Sequence, residues 1–61
     1  MPSGGYGVDQ EDFRMVRRAL QDEVVQKYSM QVEWCAAYAT ARANGATPPQ
    51  ASTAAYTEWD L

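Results

Sequence analysis

Residues 9–44 read DQEDFRMVRRALQDEVVQKYSMQVEWCAAYATARAN, with no proline or glycine. Most of these residues are good or neutral helix formers, so the stretch predicts one long helix. Asp9 suits an N-cap, and Asp9, Glu11 and Asp12 set negative charge at the positive end of the helix dipole. Gly45 follows Asn44 and suits a left-handed residue just past the last turn. Apolar positions run Phe13, Val16, Leu20, Val24, Tyr28, Val32, Cys35, Ala39 and Ala43, in steps of three and four. That period is helical. Because fours dominate, the stripe drifts in the sense opposite to a heptad seam, which argues against a regular left-handed coiled coil. A break near Lys27–Met30 would realign the two halves.

About 36 residues of helix would span roughly 54 Å, whereas a compact chain of this size is about 27 Å across. Such a helix must bend back on itself or be covered by other chains. The reading is therefore all-α: a helix over about 9–44, a short antiparallel helix over about 48–59, and assembly into an oligomer or docking on a partner. The second helix is the better punctuated. Gly45-Ala46-Thr47-Pro48-Pro49-Gln50 offers an N-cap threonine, a proline at the first helical position and a Thr-x-x-Gln capping box. Folded back, it covers the C-terminal part of the long helix and brings Trp59 near Tyr28, Val32 or Trp34. The expected hairpin core is Val32, Trp34, Cys35, Tyr38, Ala51, Ala55 and Trp59. Small alanines permit close helix approach and aromatic rings fill the remaining space.

Nothing in the chain then covers the first half of the long helix. Phe13, Val16, Leu20, Val24 and Tyr28 form the expected interaction surface, since leaving such side chains exposed forgoes about 1.5–3 kcal/mol each. The 61 residues allow one small domain, over 9–61, preceded by a glycine-rich arm at 1–8 that reads as flexible, with Tyr6 as its anchor. A core this small yields little net stability on its own. One cysteine forms no intrachain disulfide, and a chain without histidine offers no zinc site. Oligomerisation or docking on a larger protein is the remedy left.

Charge narrows the function. A net charge of −3 and a second helix without lysine or arginine argue against nucleic-acid recognition. There is no membrane-spanning run and no signal-peptide pattern, and a single free thiol fits a reducing cytoplasm. Arg14, Arg17 and Arg18 share a face, a candidate site for a phosphate-containing ligand such as a nucleotide, because guanidinium groups bind oxyanions in pairs of hydrogen bonds. Solvated charge or salt bridges to another subunit explain the same face. Cys35 sits in mid-helix with no basic neighbour, which marks an inert thiol. With no acid–base histidine and no phosphate loop, the expectation is a non-enzyme with no catalytic residues, cofactor or metal. In composition the chain is similar to short phage-encoded accessory and host-takeover proteins, with no motif behind the likeness. The functional expectation is a protein-interaction module, self-associating or binding and inhibiting a larger protein; the alternative is an oligomeric binder of a phosphate compound.

Overall fold

The computed structural model describes residues 10–61, and all regular structure among them is helical. The glycine-rich arm, its Tyr6 and the Asp9 cap lie outside the described residues. Four helices follow one another: α1 (Gln10–Leu20), α2 (Glu23–Lys27), α3 (Gln31–Ala43) and α4 (Pro48–Glu58).

The single long helix is thus corrected to three. One bend falls at Tyr28–Met30, where a break was allowed for, and another at Gln21–Asp22, where none was expected. Size supplies the reason. The folded molecule measures 38 Å along its longest axis, well short of the roughly 54 Å of an unbroken helix. Bending returns α1 to the body of the molecule, where it can bury a face.

Each bend satisfies its own backbone. At the first, α1 tightens through Asp22 N–H to Ala19 O (3.0 Å), and Gln26 Nε2 donates to Leu20 O at 2.9 Å. Asp22 is extended (ψ 129°) and caps α2, its Oδ1 accepting from Val24 N–H at 2.8 Å. At the second, Ser29 takes φ 56°, with Ser29 N–H bonded to Gln26 O (3.0 Å) and Met30 N–H to Val25 O (2.9 Å). This is a Schellman ending built on serine. The same ending closes α3, with Gly45 at φ 100°, and α4, with Asp60 at φ 56°.

α3 and α4 form an antiparallel hairpin across the Asn44–Thr47 link. Thr47 and Gln50 make the reciprocal capping box. Trp59 Nε1 donates to Glu33 O at 3.1 Å, fastening the end of α4 to the start of α3. Between the helices Trp34 stacks on Tyr38 (centroids 5.3 Å) and meets Tyr56 edge-on (5.5 Å). The side of α4 bearing the buried Ala51 and Ala55 is short enough to admit these rings. Val25 from α2 and Ala19 from α1 complete the buried core, with Met15, Val16 and Met30 packed at its edge.

α1 is turned differently from expectation. Its inward face is Asp12, Met15, Val16 and Ala19, so that of the expected Phe13, Val16 and Leu20 only Val16 turns inward. What decides it is Asp12, whose carboxylate accepts from the Tyr38 hydroxyl and from Arg42 Nε (2.8 Å) and Nη2 (3.3 Å). Arg42 also donates to Ala46 O at 2.8 Å. One ion pair ties α1, α3 and the hairpin turn together.

Candidate functional site

The rotation of α1 puts large apolar side chains outside. Among the described residues Phe13 is 59% exposed, Leu20 37%, Val24 40%, Tyr28 59%, Val32 77% and Trp59 40%. Of the expected interaction surface, Phe13, Leu20, Val24 and Tyr28 stand in solvent, while Val16 is half-buried against the core. Phe13 and Leu20 flank Val16 on one side of α1. Val24 lies in α2, and Tyr28 caps that helix with Lys27 Nζ 5.6 Å from its ring centroid.

The hairpin-core residues divide. Trp34, Tyr38, Ala51 and Ala55 are buried, and Cys35 is half-buried. Val32 and Trp59 lie outside the core, which corrects their placement: Val32 follows the outer side of α3, and Trp59 sits past the end of α4. There Trp59 shares a shallow recess with Tyr28, Met30, Asp60 and Leu61. Ala54 lines a second recess with Ala37, Ala41 and Glu58.

The three arginines are all exposed, but they do not act as one group. Arg14 and Arg17 line a shallow depression with Gln10 and Phe13. Arg18 does not line that depression; its charge favours ionisation of the Tyr56 hydroxyl and is outweighed. Burial, the hydrogen bond to Asp22 Oδ2 (3.1 Å) and that carboxylate's charge push Tyr56 above its ordinary value. Tyr38 is pushed up further, by burial first and then by its bond to Asp12.

Cys35 is raised by burial alone, which keeps it a thiol and a poor nucleophile at neutral pH. Among the described residues, no three histidine, cysteine, aspartate or glutamate side chains gather as a metal set, and no helix is long and apolar enough to cross a membrane. Trp34 Nε1 and Glu33 Oε1 are buried without a hydrogen-bond partner.

Sequence reasoning missed Asp12. The helix dipole alone accounts for an acid at that position, although Tyr38 and Arg42, one turn apart on α3, offer it a hydroxyl and a guanidinium. No family model, curated protein or solved structure matches this chain.

Proposed function

We propose that this chain is a small non-catalytic interaction module that docks on a protein surface, its own or a larger one, through the outer flank of α1 and α2. The observation that carries this reading is the exposure of Phe13, Leu20, Val24 and Tyr28, while among the described residues the largest fully buried side chains are only Trp34 and Val25. A concentration of large apolar groups outside so small a core is what interaction surfaces display.

Leu20→Asp is the test. Leu20 lies outside the buried core, so the substitution is expected to keep the helical circular dichroism and change stability by no more than about 0.5 kcal/mol. Light scattering across a range of concentrations should show association in the wild type and none in the variant. A monomeric wild type would direct the test to a larger protein, with loss of complex on Leu20→Asp as the readout. Association or complex formation that survives the substitution unchanged overturns the reading.

A second reading, a phosphate-containing ligand on the arginine face, is supported by the depression that Arg14 and Arg17 share with Gln10 and Phe13. Ligand bound to the native state raises the melting temperature. A panel of nucleotides should therefore give a shift that Arg17→Ala removes, and no shift with any of them overturns this reading.

A further inference from the structure

The positions Leu20, Val24, Tyr28 and Val32 are spaced by four residues and run straight across both bends. In the folded chain they fall on three elements: the last residue of α1, the second residue of α2 and its C-cap, and the second residue of α3. All four are exposed. On an uninterrupted helix they would make one stripe that winds by about 40° at each step. The sequence thus carries an apolar surface that the bent chain divides.

Neither bend contains a glycine or proline that would enforce it. Ser29 is instead held at φ 56°, a conformation that costs an L-residue with a side chain and that α-helix would relieve. A straight helix over 10–43 would be roughly 51 Å long. That exceeds the 38 Å longest dimension of the folded molecule, so straightening carries α1 beyond its own α3–α4 hairpin. The vacated site on the hairpin has known specificity. It takes a helix presenting Met15, Val16 and Ala19 and an acid to meet Arg42 and Tyr38, and α1 of a second copy supplies these in the same register.

From this we infer that two copies of the chain exchange their α1 helices. Residues 10–43 straighten in each, and Asp12 of one chain pairs with Arg42 and Tyr38 of the other. The Leu20–Val32 stripes then lie against each other about a two-fold axis near the former bends. The inference rests on the interaction reading above and names a second copy as the occupant.

The test exploits the ion pair. Asp12→Arg and Arg42→Asp each place like charges together in a closed monomer, and each alone should fold poorly. Refolded together, the two variants regain both opposite-charge pairs only if α1 crosses between chains. The expected result is a folded heterodimer of twice 6.8 kDa. A mixture that behaves as the sum of its separate components overturns the exchange.

A second pair of variants does not depend on damaged folding. Ser29→Gly relieves the left-handed position in the bent form and should raise the dimer dissociation constant by at least about tenfold. Ser29→Ala should lower it, and a monomeric Ser29→Ala at every concentration overturns the proposal. If the charge variants fail to pair while Leu20→Asp still abolishes association, exchange is wrong and surface docking stands. If Leu20→Asp has no effect either, both are wrong.

Discussion

At Asp12 a single carboxylate accepts from a phenol and a guanidinium on the neighbouring helix, with its side chain 17% exposed and that of Arg42 34% exposed. Water still reaches the pair, so it is worth less than a fully buried one. Arg42→Met keeps the aliphatic bulk and removes the charge, and should cost about 1–2 kcal/mol, read as a lower urea midpoint. Tyr38→Phe removes one donor but leaves the ion pair, and should cost about 1 kcal/mol. Tyr38 and Tyr56 also set the alkaline limit. Both hydroxyls ionise at higher pH in the folded chain than in the unfolded one. Their contribution is therefore complete below the unfolded value of about 10 and is lost as pH rises from there through the folded values. Helical signal should fall from about pH 10 upward, and a Tyr38→Phe, Tyr56→Phe double variant should flatten that fall.

Three helices end in the same Schellman geometry, yet the left-handed residue is glycine only once: Gly45, against Ser29 and Asp60. This explains what could be read in advance. The end of α3 and the start of α4 were legible because Gly45, Thr47, Pro48 and Gln50 act locally, through φ preference and capping. The bend at Tyr28–Met30 carries no such signal, and at Gln21–Asp22 the one cue is Asp22, a residue type that caps helices but is also common within them. The stripe misled for a related reason: Phe13 and Leu20 belong to the greasier face, but α1 buries Met15, Val16 and Ala19 because Asp12 finds its partners on that side. Gly45→Ala meets no atom within 4 Å, so its cost is that of the backbone alone, about 1–2 kcal/mol. Thr47→Ala should cost about 1 kcal/mol through loss of the cap. Thermal melts of the two variants should give losses that add when combined only if the link and the cap are independent.

A domain of this size has about 3–5 kcal/mol of stability from its core, and much of that core is one indole. Trp34 is fully buried between Tyr38 and Tyr56. Trp34→Ala should cost about 3–5 kcal/mol, enough to abolish the folded state, with loss of helical dichroism as the readout. Trp34→Phe should be far milder, since the indole N–H that it removes has no hydrogen-bond partner. The other tryptophan belongs to a different environment: Trp59 is 40% exposed and stands at the rim beside Tyr28 and Leu61. The chain therefore carries two indole fluorophores, one in the dark interior and one in daylight. A neutral quencher dissolved in the solvent would extinguish the emission of Trp59 and spare that of Trp34. Loosening of the end of α4 changes the quenchable fraction, and opening of the core changes the protected one, so the two kinds of opening can be told apart without attaching a label.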